Sequence, residues 1–458
     1  MPRPLAGNGF ARRVLKGFLP GGSPFLRSTA AVVTTMTALI ATSLGAGPAL
    51  AGPQAAACRL TRSQAHHSEG DATWNSAYAR PTRPLDAIMV YLSFPDATPV
   101  TTPRELTADY FPATSRFFER ASYGRFTLRP HRLSHWIRMP HPSTSYAIQR
   151  DWKAEHRRAY LRDAVAAADK DVDFSRYDVV YLVADPDAPG VDSDATKVVN
   201  LDTPLRADGT DLRRVVTVFE KHPPDRLVLA HETGHVFDLP DLYHRPADGK
   251  GDWDTYVGDW DLMGSQFGLA PDLFAWHKWK LGWLDTRQMV CVRGAGSTRL
   301  TLEAVGAGPS GVPQVPVNAR GLWGTGVTGA AGTGAAGLRP GVQAFGSGHG
   351  TKLAVVRTGP DKVLVMEARG AVGNDESVCT QGVLVYRVRS ETASGGGPIE
   401  VLDSHPHSTA CRDNSVYPPL ADAPVGVGET FTAPGERVRV AVEDRTATGA
   451  WTVRITRT

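Results

Sequence analysis

The order of strand and helix patterns along the first two thirds of the chain limits its fold more than any other feature. Two apolar runs, LDAIMVYLSFPD at 85–96 and YDVVYLVAD at 177–185, have the length and the β-branched content of buried strands. Between them, TSRFFERAS at 114–122 and WKAEHRRAYLRDAVAAADK at 152–170 are typical of helices. Because strands and helices alternate up to about residue 290, the sequence predicts an α/β domain.

The segment YGRFTLRPHRLSHWIRM alternates in the manner of a β-hairpin. Beyond Cys291 the composition changes, and the chain between about 306 and 350 is rich in Gly, Ala and Pro, which predicts a flexible insertion. Short β-branched segments follow: KLAVVRT, KVLVMEAR, GVLVYRV, RVRVAVED and WTVRITR. They predict an all-β, sandwich-like C-terminal domain at 291–458.

The N-terminal 51 residues have the pattern of a secretory signal peptide. FARRVLKGF supplies positive charge, an apolar run rich in small residues follows, and ALA at 49–51 is a cleavage signal, so we expect cleavage before Gly52 and a secreted protein. The alternative is a membrane anchor, although the run is short for a span. Residues 52–82 are predicted to be a polar leader or a short propeptide, and no later segment has the length and apolarity to cross a membrane.

Charge and cysteine content restrict the class of protein further. The formal net charge is +3 with 21% charged residues, which gives no argument for a nucleic-acid partner. The four cysteines form no CxxC motif, and an oxidising compartment predicts two disulfides. Three pairings are open, of which we favour Cys58 with Cys291 and Cys379 with Cys411.

The stretch LVLAHETGHVFDLPDLY at 227–243 contains the residue types of a catalytic metal site. His231 and His235 stand four apart, so a helix places both imidazoles on one face, where they can bind one zinc ion. Glu232 is rotated by about a hundred degrees around that helix. It is therefore placed as a general base that takes a proton from a zinc-bound water, rather than as a third ligand.

A catalytic zinc needs a third protein ligand, and Asp241 is the nearest candidate. The proline before it ends the helix, and a sharp turn then brings its carboxylate back to the ion. The small Gly234 leaves room for other backbone to pack against the helix. The alternative interpretation is a helix with two structurally satisfied histidines, because H-E-x-x-H alone is only moderately specific. The spacing of Asp241 and the signal peptide favour the metal site.

A second stretch, GDWDLMGSQFGLAPDLFAWHKWKLGWL at 258–284, resembles the methionine-containing turn beneath the zinc of metzincin proteases. In that case Met263 packs its thioether below the ligands. The alternative is an ordinary methionine of the core.

Together, HETGHVFDLPDLY, WDLMGS and FAWHKWKLGWL resemble the immune inhibitor A family of secreted bacterial metalloproteases. MVYLSFPD, FFERASYGRFTL and DFSRYDVVYLV resemble that family upstream of the motif, and KVLVMEAR and GVLVYRV resemble its β-rich region. The resemblance covers about residues 84–290 well and the C-terminal part loosely. It implies a zinc endopeptidase that cleaves proteins or peptides, with a metzincin-like catalytic domain at 83–290 built on a mixed sheet and an active-site helix. His231, His235 and Asp241 match the ligand motif, and Glu232 matches the general base.

The chain departs from the metzincin motif at Asp238, where a glycine is usual. Aspartate tolerates left-handed backbone geometry better than most residues, and Asp238 is also a candidate carboxylate partner of a ligand histidine. A structural Ca²⁺ is a further expectation, since DPDAPGVDSD at Asp185–Asp194 is rich in oxygen ligands. A solvated acidic loop is the simpler interpretation of that spacing.

The leading functional prediction is a secreted zinc endopeptidase. Two alternatives stay open: a secreted protein that binds glycans or cell surfaces and has a degenerate protease site, and a zinc hydrolase of another substrate, such as a cell-wall amide. The intact Glu232 argues against degeneracy. The sequence does not indicate the cleavage-site preference or the oligomeric state.

Overall fold

The computed structural model of the chain describes residues 55–246, 250–308 and 350–458. The predicted signal peptide and nearly all of the predicted Gly-rich insertion lie outside the described residues. The described α-helices are α1 (Pro103–Tyr110), α2 (Ala113–Ala121), α3 (Ala154–Ala168), α4 (Val228–Val236) and α5 (Ala275–Lys280). The described strands are β1 (Leu85–Ser93), β2 (Leu128–Arg132), β3 (Ile137–Arg138), β4 (Val179–Ala184), β5 (Lys197–Ala207), β6 (Thr210–Val218), β7 (Met289–Val292), β8 (Gly296–Leu302), β9 (Leu353–Arg357), β10 (Lys362–Arg369), β11 (Gly382–Arg389), β12 (Ile399–Val401), β13 (Thr430–Thr432), β14 (Val438–Arg445) and β15 (Trp451–Arg457).

The first half of the chain is mixed α/β, as predicted. Its sheet has the order β2-β1-β4-β6-β5, with β3 also paired to β1. β1 and β4 are the two buried strands that the apolar runs predict, and they lie parallel, with Ala87 opposite Val179. The hairpin β5–β6 runs antiparallel at one edge, so the sheet is mixed.

The predicted hairpin at 123–139 is wrong. β2 and β3 do not pair with each other, because both run parallel to β1, one after the other along the same strand. The alternation of YGRFTLRPHRLSHWIRM reports extended backbone with one buried face, but it contains no information about the partner strand.

The predicted helices α2 and α3 are present within a few residues of their expected bounds. Their apolar faces pack on the sheet, and Phe118 and Tyr160 are fully buried. α1 was not predicted from the sequence. It begins at a capping box, in which the hydroxyl of Thr102 accepts from the Glu105 amide while the Glu105 carboxylate accepts from the Thr102 amide.

From Met289 onward, the described regular elements are strands and short 3₁₀ turns, as the sequence predicts. One sheet has the order β12-β11-β10-β9-β7 and the other has the order β13-β14-β15-β8. Side chains from both sheets share an apolar core, which includes Val356 and Met366 of the first sheet and Val440 and Ile455 of the second.

The two predicted halves of the chain are packed together. A single apolar core contains Tyr91 and Trp276 from the α/β part and Val365 and Tyr386 from the β-rich part. The predicted boundary at residue 290 therefore separates two regions of one packed unit.

The predicted leader is also part of this unit in its described residues, 55–82. Leu60 is buried in the same core, and Cys58 forms a disulfide with Cys291. Cys379 pairs with Cys411, so both favoured disulfides are confirmed. Among the described residues, no helix has the length and apolarity needed to cross a membrane.

Candidate metal centre

The candidate site is built on α4, whose nine residues are all buried. His231 and His235 lie one turn apart with their ring centroids separated by 4.9 Å. The Nδ1 atom of His231 lies 2.9 Å from the carbonyl oxygen of Leu262, and that of His235 lies 2.7 Å from the carbonyl oxygen of Leu239. A proton on each Nδ1 satisfies these carbonyls and leaves the lone pair of each Nε2 free to bind a metal.

The chain turns back immediately after the helix and brings Asp241 to the two imidazoles. Asp238 takes the left-handed conformation, with φ of 69°, at the position where the metzincin motif has glycine. The Oδ1 atom of Asp241 then lies 3.4 Å from Nε2 of His231 and 3.0 Å from Nε2 of His235. Asp238 therefore adopts the left-handed backbone conformation that was expected at this turn.

These three side chains fit a divalent metal. Their ligand atoms lie within 4.8 Å of one another, and no other such group of three is present among the residues that the structure describes. Apart from the two Nε2 atoms, the buried Oδ1 atom of Asp241 has no polar partner among the described residues. Two imidazole nitrogens and one carboxylate oxygen form a donor set that zinc uses in catalytic sites.

The charges at the site favour a cation between these groups. Burial would lower the pKa of His235, but the carboxylate of Asp241 raises it to about 9. Burial would raise the pKa of Asp241, but the adjacent imidazoles, His235 foremost, hold it well below its usual value. The carboxylate thus stabilises positive charge at this point, whether a proton or a metal ion carries it.

Glu232 is buried beside the two histidines, and the edge strand β5 holds its carboxylate. The Val198 amide donates to Oε2 of Glu232 at 2.6 Å. Burial raises the pKa of Glu232, which makes the carboxylate a stronger base than an exposed glutamate. β5 was not predicted from the sequence, and this contact was therefore not expected.

Met263 lies beneath α4 with no exposed surface. It follows Asp261, whose Oδ1 atom accepts from the Met263 amide at 2.8 Å and whose Oδ2 atom accepts from the Phe274 amide at 2.7 Å. A Cβ atom at Gly234 would lie 2.4 Å from the Met263 sulfur. The glycine therefore makes room for the methionine side chain, not for backbone as the sequence analysis expected.

We expect Gly234→Ala to destabilise the protein by roughly 1–3 kcal/mol, because the added methyl group overlaps a fully buried sulfur atom. In an exposed helix the same change would stabilise by up to about 1 kcal/mol. Gly294→Ala is the matched control, since a Cβ atom there meets nothing within 4 Å. Denaturant midpoints measure both variants, and equal midpoints for Gly234→Ala and the parent would contradict the close contact with Met263.

The Asp238 amide donates to the carbonyl oxygen of His235 at 3.1 Å, but among the described residues the Asp238 carboxylate has no hydrogen bond or ion pair with His231 or His235, so it is not the carboxylate partner of a candidate ligand that was expected. Both Nδ1 atoms already face carbonyl groups. The Asp238 carboxylate instead pairs with Arg62, whose Nη2 lies 3.0 Å from Oδ1, and with Lys280, whose Nζ lies 3.6 Å from Oδ2. His67 is near, with Nδ1 3.8 Å from Oδ1. Asp238 thus connects the site to the predicted leader.

The acidic loop at Asp185–Asp194 does not gather three carboxylates at one point, since the described residues contain one such group, at His231. Its carboxylates serve local turns: Asp185 accepts from the Asp187 amide at 3.2 Å, and Asp192 accepts from the Asp194 amide at 3.1 Å. Asp194 also pairs with Arg150. These contacts give the carboxylates local partners, and a structural Ca²⁺ at this loop stays a prediction.

The site opens into a cleft of about 1070 Å³. Three residues near the candidate ligands were not identified from the sequence. His67 lies beside His235 with ring centroids 5.2 Å apart, and Tyr243 stacks on His231 with centroids 6.3 Å apart. Ser394 contacts Asp241 from the β-rich part of the chain. Only Tyr243 had a local signal, since it lies two residues beyond the third candidate ligand.

The comparisons with known proteins add no assignment: no family model matches the chain, and no curated protein matches it.

Proposed function

We propose that the protein is a secreted, zinc-dependent endopeptidase that hydrolyses peptide bonds in proteins. The observation that carries this proposal is the convergence of His231, His235 and Asp241 within 4.8 Å at the floor of an open cleft. Glu232, on the same helix, supplies a carboxylate next to them. A buried histidine pair with only a structural role has no need of a neighbouring carboxylate that opens to a cleft.

His231, His235 and Asp241 would hold the zinc ion through two Nε2 atoms and Oδ1. Zinc bound there supplies a Lewis acid, which lowers the pKa of water and polarises a carbonyl group. Glu232 takes up the proton on its carboxylate and later delivers it to the leaving amine. The Val198 amide keeps one oxygen of that carboxylate fixed, so the other is available for the proton.

Several features support a metzincin-like enzyme of the immune inhibitor A type. Met263 packs beneath the helix that carries the histidines, as the resemblance implies. The chain reverses at Asp238 through a left-handed residue, which preserves the turn despite the missing glycine. The two disulfides are compatible with an extracellular location.

The cleft suits an extended polypeptide better than a small molecule. Its volume lies just above the usual range for small-molecule sites, and it is lined by aromatic rings and by charges of both signs. Tyr243, Trp253 and Phe267 provide the rings. Burial and the negative charge of Asp241 raise the pKa of Tyr243, so its hydroxyl stays protonated as a hydrogen-bond donor at neutral pH.

The test is digestion of casein or gelatin by the purified protein, with and without a zinc chelator. We expect digestion that the chelator abolishes and that added zinc restores, whereas added calcium does not restore it. If the protein binds one zinc ion but digests neither substrate, the endopeptidase proposal is wrong. In that case a glycan- or surface-binding protein, or a zinc hydrolase of another amide, is the better assignment.

A further inference from the structure

The loop between β11 and β12, residues 390–398, reaches the candidate metal centre from the β-rich part of the chain. The Asp241 amide donates to Oγ of Ser394 at 2.8 Å, and that hydroxyl donates to Oδ2 of Asp241 at 2.9 Å. The Gly395 amide donates to the carbonyl oxygen of Asp241 at 3.0 Å. The loop therefore holds both the backbone and the side chain of Asp241.

The loop is itself anchored on both sides. At its start, the Ser390 amide donates to the carbonyl oxygen of Asp361 at 2.9 Å, and the Ser390 carbonyl accepts from the hydroxyl of Ser68 at 3.2 Å. At its end, the Arg389 amide donates to the carbonyl oxygen of Pro398 at 2.8 Å. Gly395 has φ of 73°, a left-handed conformation that favours glycine, so the sequence permits this turn.

From these contacts we propose that Ser394 is a positioning residue for the metal centre, and that the β-rich part of the chain sets its affinity for zinc. The inference rests on the proposed function. The Ser394 hydroxyl holds Oδ2 of Asp241, which fixes the plane of the carboxylate and turns Oδ1 toward the two Nε2 atoms. Asp241 lies in irregular chain beyond α4, so no regular helical hydrogen bond orients it.

The expected loss of zinc affinity follows from the exposed position of the Ser394 hydroxyl. Removing a group that supports a metal ligand usually lowers affinity 10–100-fold. Ser394 is exposed, so water partly replaces its hydroxyl, and we expect the lower end of that range.

The experiment compares zinc affinity of the full-length protein and three variants by competition with a chromophoric chelator. Ser394→Ala should bind zinc about tenfold more weakly than the parent. Ser394→Thr keeps the hydroxyl and should restore affinity close to that of the parent. Thr392→Ala is the matched control, since it removes a hydroxyl from the same loop, and that hydroxyl has no contact with Asp241 among the described residues.

Two further measurements separate positioning from a loss of fold. The zinc-free forms of the parent and Ser394→Ala should unfold at the same denaturant concentration. The visible absorption of the cobalt-substituted protein should change in Ser394→Ala and not in Thr392→Ala. Equal zinc affinity for the parent and Ser394→Ala would overturn the inference. If Asp241→Ala still loses zinc in that case, the proposed function stands, whereas if Asp241→Ala also keeps parent affinity, the metal centre itself is wrong.

Discussion

Glu232→Gln is expected to keep about one zinc ion per chain and to lose at least about a hundredfold in the rate of casein digestion. General-base catalysis alone contributes roughly 10²–10⁴-fold. The metal is retained because Glu232 is not one of the three converging ligands. Zinc content by atomic spectroscopy and initial digestion rates measure the two effects on the same preparation.

Glu232→Ala serves as the companion variant, because it separates the loss of the base from the loss of the contact with β5. The Gln amide oxygen still accepts from the Val198 amide, whereas Ala leaves that donor without its partner. A similar loss of rate in both variants assigns the effect to the missing base. Digestion by Glu232→Gln at the parent rate would show that the carboxylate takes up no proton in the reaction.

Asp241→Ala is expected to lose zinc during dialysis, with an affinity reduced by more than about a hundredfold. Removing a group that only supports a metal ligand already lowers metal affinity by up to about a hundredfold. Two imidazoles alone remain in this variant, and a stable site needs at least three protein ligands. Metal content after dialysis measures the outcome.

Asp254→Ala is the control, since its carboxylate lines the same cleft but does not belong to the converging group. It should bind zinc nearly as well as the parent. If zinc is retained in Asp241→Ala and lost in Asp254→Ala, Asp259→Ala or Asp261→Ala, the third ligand lies elsewhere. The structure opposes that result for Asp259 and Asp261. Asp259 accepts from the amides of Leu269 and Val416, and Asp261 is held by the amides described above.

The parts of the fold that could be predicted from the sequence are those in which burial leaves a local signal. β1 and β4 are buried on both faces, so each appears as a continuous apolar run. β5 was not predicted because it is a half-exposed edge strand, KVVNLDTPLRA, with mixed polarity. The partners of β2 and β3 were not predictable because alternation reports a buried face and not a neighbouring strand.

In the candidate site, too, the residues that lie close together in sequence could be predicted, and the distant ones could not. The ligand set could be predicted because His231, His235 and Asp241 lie within one short segment, where helix periodicity and a proline constrain their geometry. Ser394 is 153 residues away from Asp241, and nothing in ETASGGGP distinguishes it from an ordinary loop. The same holds for His67, which approaches His235 only because the predicted leader is packed into the core.

The hairpin loop at 390–398 also bears on the order in which the molecule is completed. The chain is synthesised from its N-terminus, so all three candidate ligands exist before β11, the loop and β12 have been made. Contacts between residues so distant in sequence form slowly, because the intervening chain loses entropy when its ends meet. A nascent chain that ends before residue 394 therefore carries all three candidate ligands without the hydroxyl that contacts Asp241.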